Sequence, residues 1–402
     1  MASFTGLIRL LVSRSTTDQT PTQNRNRHSS PLGAVRTPRG IAMSRPQDSQ
    51  TWNEIFAQPA IWEKWGRDLA PRAKEIRDWI VRLQINEIVF AGAGTSAFIG
   101  EILSVAKPGP IRLGAIPTTD IVACPSSSLR NDPRLLVVQF GRSGDSSESI
   151  GTLDLLDGQF PSVQRLNITC NPLGALATRK PAGQGEHQSI VLPEATHDTG
   201  FAMTSSFTTM LLSALACILP EDEIGETLAT LSDAAGKILE GLAASTPPRP
   251  ERVVFLGSGA LKGVARESAL KVLELTAGRT VTSWDSTLGF RHGPKAILGG
   301  NDLVVVMIHP DPHTALYDWD VAQEIKEQYP DATVLTSGGH GCDLVVRQFK
   351  DARWEAVLHV LAAQVWAVTW SGALDLNIDN PFAGKGNLSR VVSGVTLYPV
   401  QP

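Results

Sequence analysis

Cysteine is scarce in this chain. There are four residues in 402 (Cys124, Cys170, Cys217 and Cys342), far apart and with no C-x-x-C pair. That spacing argues against a zinc knuckle or a disulfide scaffold and points to a reducing compartment, the cytosol. Long apolar runs are missing too: none reaches the ~18 residues that a membrane-spanning helix needs. The nearest, Ala356 to Trp370, carries His359 and Gln364 and reads as a buried core helix. Nor is there an excess of positive charge. A formal net charge of −4 supplies no basic field for nucleic acid or an anionic membrane. What is present, 42% hydrophobic and 19% charged residues, is ordinary globular composition, in a length that fits two or three domains of ~100–200 residues.

Residues 1–47 differ from the rest, with seven arginines, no lysine and a single acid, Asp18. Such a segment cannot bury enough apolar surface to order itself. It reads as a disordered or wrongly assigned start, with Met43 as the real one; an Arg-rich, acid-poor leader is also the composition of an organelle transit peptide. In residues 48–84, Trp62, Trp65, Leu69, Ile76, Trp79, Ile80 and Leu83 recur at helical spacing, which predicts a helical arm packed on the body.

An internal duplication organises the remainder. Glu87-Ile-Val-Phe-Ala-Gly-Ala-Gly94 resembles Arg252-Val-Val-Phe-Leu-Gly-Ser-Gly259 at an offset of 165; Leu135 to Phe140 resembles Leu303 to Ile308 at 168; Asn167 to Cys170 resembles Val334 to Ser337 at 167. Short β-branched runs alternating with helical patterns predict an α/β fold. It consists of two tandem, doubly wound parallel-sheet lobes at 85–220 and 251–372, joined by a linker helix in 221–250 and followed by a C-terminal segment, 373–402.

In parallel sheets, ligands sit at the loops after the strands' carboxyl ends. Two such loops in the first lobe, Gly92-Ala-Gly94-Thr95-Ser96-Ala97 and Gly141-Arg142-Ser143-Gly-Asp-Ser146-Ser147, combine glycine, hydroxyls and a helix start, a combination suited to a phosphate monoester. A third cluster, Met203-Thr204-Ser205-Ser206, could close over the same anion. Two other readings stand beside this one. Hydroxyls at helix starts serve as plain N-caps, and Gly92-x-Gly-x-x-Ala also fits a dinucleotide fingerprint, with Asp120 near the place of a ribose-binding acid.

In the second lobe, Glu267, Lys271 and Glu274 fall within about 60° of one another on a helix turning about 100° per residue. They form either a solvated Glu–Lys pair or a carboxylate base tuned by an adjacent ammonium. His292, in the turn-rich Phe290-Arg-His-Gly-Pro294, is a proton-transfer candidate, ranked ahead of His197-Asp198. His309-Pro-Asp-Pro-His313 reads as loop polar groups, and no metal is expected.

Taken together, Ala91-Gly-Ala-Gly-Thr-Ser-Ala-Phe-Ile-Gly100, Phe140-Gly-Arg-Ser-Gly144, Thr196-His-Asp198, Gly200-Phe-Ala-Met-Thr-Ser-Ser206, Glu267 to Gly278, Gly289 to Lys295 and Arg390-Val-Val-Ser-Gly-Val resemble the sugar isomerase (SIS) superfamily. Within it they look like the galactosamine-6-phosphate deaminase/isomerase branch, also called tagatose-6-phosphate ketose/aldose isomerase, over about residues 52–402. The resemblance implies an SIS-type fold and a phosphorylated amino sugar or ketose as partner. It implies no cofactor and a homodimer or higher homo-oligomer.

Similarity to the isomerase half of glucosamine-6-phosphate synthase implies that Thr95, Ser96, Ser143 and Ser146 hold the phosphate, with Gly94, Arg142, Thr204 and Ser205 lining the same site. It implies Glu274 as the base between C1 and C2, with Lys271 and Glu267 beside it. It also implies His292 as the ring-opening group, reaching across a dimer interface. That synthase ends in an imine-forming lysine; the nearest counterpart here is Lys385, in a different context. About 84 residues precede the first lobe and the second residue is alanine, which leaves no place for a glutaminase nucleophile. Removal of an amine, rather than its addition, is therefore the expected task. The alternatives are an aldose–ketose isomerase without deamination, a non-catalytic phosphosugar sensor, and, on the Gly92 fingerprint alone, a dehydrogenase.

Overall fold

The computed structural model describes residues 45–106, 109–219, 223–384 and 388–399. Residues 1–44, nearly all of the expected extension, and Lys385 lie outside the described residues. A long helix, α1 (Gln50–Arg82), comes first. The first lobe follows: β1 (Glu87–Ala91), α2 (Thr95–Ser104), β2 (Arg112–Ala115), α3 (Thr118–Ala123), α4 (Pro125–Ser128), β3 (Leu135–Gly141), α5 (Ser147–Gly158), β4 (Gln164–Thr169), α6 (Ala175–Thr178), β5 (His187–Val191) and α7 (Ser205–Ile218). After α8 (Ile224–Ala244) the second lobe runs β6 (Arg252–Gly257), α9 (Ala260–Leu275), β7 (Val281–Asp285), β8 (Asp302–Met307), α10 (Pro312–Gln328), β9 (Thr333–Gly338), β10 (Leu344–Val345) and α11 (Ala352–Ala373).

Both sheets are parallel, in the orders β2-β1-β3-β4-β5 and β7-β6-β8-β9-β10. This is the flavodoxin-like 2-1-3-4-5 order, twice; each lobe has its switch point between the first and third strands, where a crevice for ligand opens. The duplication extends to single dihedrals. Helices α2 and α9 open on Gly94 (φ 55°, ψ −129°) and Gly259 (φ 58°, ψ −128°), a positive-φ conformation that glycine alone adopts without strain.

Strand register corrects two of the repeat offsets. Glu87 pairs with Leu135 and its counterpart Arg252 pairs with Asp302, so β3 and β8 are related by 167 residues rather than 168. Gln139 pairs with Asn167 and its counterpart Val306 pairs with Thr336, which makes the third offset 169 rather than 167. Strands β3, β4 and β8 are buried at nearly every position whether the residue is apolar or polar, so no in–out alternation sets the phase.

Helix α1 is the expected arm. Its Trp52, Ile55, Trp62, Leu69, Ile76 and Ile80 are buried. Pro59 has no N–H for the carbonyl of Ile55 four residues back, and Gln58 Nε2 donates to that oxygen instead, at 2.9 Å. The same Gln58 nitrogen lies 2.9 Å from Gln364 Oε1 of α11, and the Gln58 oxygen accepts from Thr208 of α7. Helix α11 is long and apolar enough to cross a membrane, yet 89% of its apolar window is buried inside the protein, as expected of a core helix. One continuous apolar cluster takes residues from both sheets and from α1, α2, α7, α8, α9 and α11. The two lobes are thus separate stretches of chain around a shared core.

Helices α2 and α9 meet where the lobes join. A Cβ added to Gly263 would lie 2.7 Å from Ile102 Cγ1 and 3.1 Å from the Ile102 backbone nitrogen, so the close approach depends on the missing side chain. Arg266 fastens the crossing by an ion pair with Glu101, and its guanidinium lies 4.3 Å from the Phe98 ring centroid. Gly263→Ala should therefore push α2 off α9 and cost about 1–3 kcal/mol, read as a lower denaturant midpoint at unchanged slope. An unaltered midpoint would show that the crossing has slack.

Candidate active site

The switch-point loops of the first lobe are Gly92 to Ala97, after β1, and Gly141 to Ser147, after β3. The N-terminus of α2 is aimed at the second lobe. Thr95 Oγ1 lies 3.0 Å from Lys271 Nζ and 3.3 Å from Glu267 Oε1, both on α9. Lys271 Nζ in turn lies 3.3 Å from Glu267 Oε1 and 2.7 Å from Glu274 Oε2. The spacing of four and three along α9 puts both carboxylates on one ammonium, and the hydroxyl of the other lobe completes its shell. This is a buried cluster and not the solvated pair: the side chains of Glu267 and Lys271 are fully enclosed, while that of Glu274 remains 23% exposed. Of the three, Glu274 is the one within reach of a ligand.

The other expected site residues separate into two groups. Ser96 is buried beside Thr95, with its hydroxyl 4.0 Å from Met203 Sδ, and Gly94 opens the helix. Ser143 and Ser146 are half-buried on the second loop. Ser143 Oγ accepts from the Asp145 N–H, and Ser146 caps α5 by accepting from the Ser149 N–H. These four remain next to open loop backbone. Arg142 does not: its guanidinium donates to the carbonyls of Gly200, Phe201, Ala202 and Arg390, so its donors are spent holding two chain segments together. Thr204 and Ser205 are likewise committed. Their hydroxyls and N–H groups, with those of Ser206, all donate to the carboxylate of Asp198. The anion cradle expected at the start of α7 is real, and the chain fills it with its own buried acid.

His292 ends a short 3₁₀ turn, Gly289–His292, and is exposed. Its neighbours Arg291 and Lys295 form ion pairs with Glu324 of α10, which fixes the turn so that the imidazole faces outward. Among the described residues no hydrogen bond joins it to Glu274. His309 and Asp311 belong to the cap of α10: the Asp311 N–H donates to His309 Nδ1, and Asp311 accepts from the Thr314 N–H.

Three supports were not foreseen. Glu54 of α1 accepts from the N–H groups of Thr199 and Gly200; Asp379 accepts from the first N–H groups of α1; Arg390 donates to the carbonyls of Asp198 and Gly200. The C-terminal segment continues over α5, where the Ser147 N–H donates to Val392 O and the Val395 N–H to Ser147 Oγ. Asp198, six residues before a Thr-Ser-Ser helix start, carried the one readable signal, an acid within capping reach. The others join residues roughly 145–330 apart, and no local pattern marks them.

No family profile matches the chain. Individual proteins do. D-galactosamine-6-phosphate deaminase AgaS of Escherichia coli is 37% identical over 375 residues, 87% of this chain and 96% of that protein. A Streptomyces coelicolor protein also named AgaS is 40% identical over 388 residues, 90% and 98% of the two chains. The crystal structure of tagatose-6-phosphate ketose/aldose isomerase from E. coli superposes with a TM-score of 0.77 at 34% identity, covering 89% of this chain and 99% of that one. The chain belongs to the AgaS family.

In this member of the AgaS family, the electrostatics of the cluster follow from its enclosure. Burial drives the Glu267 carboxyl up, opposed by Lys271 and reinforced by Glu274, to about 7. Burial pulls Lys271 down, but the two carboxylates outweigh it and hold the ammonium charged. Near neutrality the cluster can thus hold a proton on Glu267 while Lys271 stays charged. Because the folded carboxyl sits above its ordinary value of 4.5, its contribution to stability is complete below about 4.5 and is lost as pH rises through about 7. Glu267→Gln, which fixes the protonated shape, should match the parent near pH 5 and exceed it above pH 7 by on the order of 1–3 kcal/mol in urea unfolding. A constant difference across that window would show that Glu267 does not titrate there.

Proposed function

We propose that the chain converts galactosamine 6-phosphate to tagatose 6-phosphate and ammonia, in the cytosol. The observation that carries this reading is the Thr95–Lys271–Glu274 contact, 3.0 and 2.7 Å, which brings the N-terminus of α2 beside a partly exposed carboxylate of the other lobe. Family membership supports the substrate class.

The phosphate is held by Ser96, Ser143 and Ser146 with the backbone at Gly94, and its binding energy fixes the open sugar against α9. Thr95, Arg142, Thr204 and Ser205 act behind these groups: Thr95 orients Lys271, and the other three hold the loop 198–206. Glu274 removes the C2 proton of the open-chain aminoaldehyde and returns it to C1. The electron pair left at C2 forms a C1=C2 bond as the C1 carbonyl oxygen takes up a proton. The nitrogen then gives up a proton and forms C2=N while the C1=C2 pair accepts the returned proton, so that C1 becomes CH2OH. In sum, one proton has passed from nitrogen to O1. Water then displaces ammonia from the ketimine to give the ketose. Lys271, locked between two acids, keeps the Glu274 carboxylate aimed. His292, exposed and without a partner among the described residues, assists ring opening from a second copy of the chain.

Glu274→Gln should lower kcat by about 10²–10⁴-fold while sugar phosphate binding survives, the signature of a lost proton-transfer group. Retained turnover excludes Glu274 as the base. Ser143→Ala should weaken binding of the phosphate end by about 10–100-fold, the worth of a hydrogen bond to a charged group. A second reading, aldose–ketose isomerisation without deamination, uses the same proton transfer and draws on the likeness to the E. coli tagatose-6-phosphate ketose/aldose isomerase. Incubation with galactosamine 6-phosphate separates the two. Stoichiometric ammonia supports the deaminase, whereas tagatose 6-phosphate turned over to an aldose without ammonia chemistry supports the isomerase.

A further inference from the structure

Gly200 is gripped at both of its backbone polar groups. Its N–H donates to Glu54 Oε1 of α1 at 3.2 Å, and its carbonyl accepts from Arg142 Nη1 at 3.1 Å and from Arg390 Nε at 3.2 Å. Arg142 lies in the loop after β3, one residue before Ser143. Two hydrogen bonds therefore lead from α1, a helix that supplies no group to the site, to the second of the two phosphate loops. We propose that Glu54 is a positioning residue for phosphate binding, acting through Gly200 and Arg142, on the reading that this loop holds the phosphate.

The half-buried carboxylate of Glu54 is used asymmetrically. Oε1 accepts from the N–H and hydroxyl of Thr199 as well as from the Gly200 N–H. Oε2 is buried and has no hydrogen-bond partner among the described residues. The approach is close: a Cβ added to Gly200 would lie 2.5 Å from Thr51 Oγ1 and 3.1 Å from Glu54 Oε2, so α1 reaches the loop because residue 200 has no side chain. Helix α1 is itself anchored there. The Asp379 carboxylate accepts from the N–H groups of Gln50 and Thr51 and from the Thr51 hydroxyl, while the Asp379 carbonyl accepts from the Phe201 N–H. Helix start and loop share one anchor, and Glu54 meets Gly200 from a rigid element.

At the other end of the route the Arg142 side chain is buried. It donates to the carbonyls of Gly200, Phe201, Ala202 and Arg390, and three of these four belong to the segment that Glu54 holds. A shift of that segment is carried to the guanidinium, and Ser143 is the next residue along the chain. Displacements of about 1 Å made far from the chemistry cost up to about 10²-fold.

The test compares Glu54→Ala, Glu54→Asp and Glu54→Gln with the parent in steady-state kinetics on galactosamine 6-phosphate, with inorganic phosphate as the competing probe. The phosphate does not react, so its hydrogen bonds serve ground and transition states alike, and loosening them raises KM with kcat little changed. Glu54→Ala should raise KM and the phosphate inhibition constant together, each by about tenfold, with kcat altered less than about threefold. Glu54→Asp, which withdraws the oxygen by one methylene and keeps the charge, should move both constants the same way, and it decides the matter if the alanine variant does not fold. Glu54→Gln keeps an accepting oxygen and should stay within about threefold of the parent in all three constants. A merely structural role lowers the fraction of folded enzyme, so kcat falls while KM and the phosphate constant stay in place. That pattern overturns the proposal, as does a rise in KM with no rise in the phosphate constant. The KM of tagatose 6-phosphate serves equally, because the phosphate end is common to both sugars, so the result does not depend on which of the two reactions the chain performs. A parent that binds neither inorganic phosphate nor a sugar phosphate instead overturns the reading of the loop, and the role of Glu54 falls with it.

Discussion

An ammonium with no exposed surface holds the two lobes in their working relation. Lys271 would be several kcal/mol uphill if buried alone, and removing one partner from a buried pair costs about 3–5 kcal/mol. Helix α9 supplies Glu267 and Glu274 from adjacent turns, but the remaining contact, Thr95 Oγ1, belongs to the first lobe. Separating α2 from α9 would leave the ammonium short of a ligand and expose the apolar crossing at Ile102 and Gly263. The charge therefore does two jobs. It fixes where the N-terminus of α2 stands relative to the partly exposed carboxylate of Glu274, and it opposes the upward push of burial on the Glu267 carboxyl. The distance between the N-terminus of α2 and the Glu274 carboxylate is set by that crossing.

Much of this was legible in the amino-acid order. The doubled strand–Gly–helix unit predicted two parallel lobes because its β-branched runs and glycine turns are local signals. Glu267, Lys271 and Glu274 were grouped correctly because helical periodicity is local as well. Their burial was not readable, since it depends on α2 and α11 covering that face, and those helices lie far away in sequence. The same limit explains Arg142, Thr204 and Ser205. Their residue types suit an anion, but whether the anion is a ligand, a carbonyl dipole or Asp198 is decided by a loop folding back from elsewhere. Repeat offsets failed by one and two residues for a related reason: a strand buried on both faces shows no alternation and so carries no phase.

The duplication also raises a question of selectivity. Two lobes with matching topology create two switch points, each with a glycine-started helix, and α7 adds a third hydroxyl-rich helix start. Any of these could hold an anion. Two of the three are closed from within. At the start of α7 the carboxylate of Asp198 takes six donors. At the second lobe's switch point the buried Asp318 of α10 accepts from Ser258 Oγ, on the loop after β6, at 2.6 Å and from the His309 N–H, after β8, at 3.0 Å. An internal carboxylate in such a cradle satisfies the same N–H and hydroxyl groups that a phosphate would, and it is tethered, so it has no binding entropy to lose.

The loops after β1 and β3 lack such a plug. Asp145, the acid on the second of them, turns its carboxylate outward to the Ala175 N–H and to Asn171. Among the described residues, no internal carboxylate accepts from the backbone N–H groups of these two loops, which stand on the side of Glu274. The acids at the other two helix starts thus distinguish the first lobe's switch point as much as its own hydroxyls do.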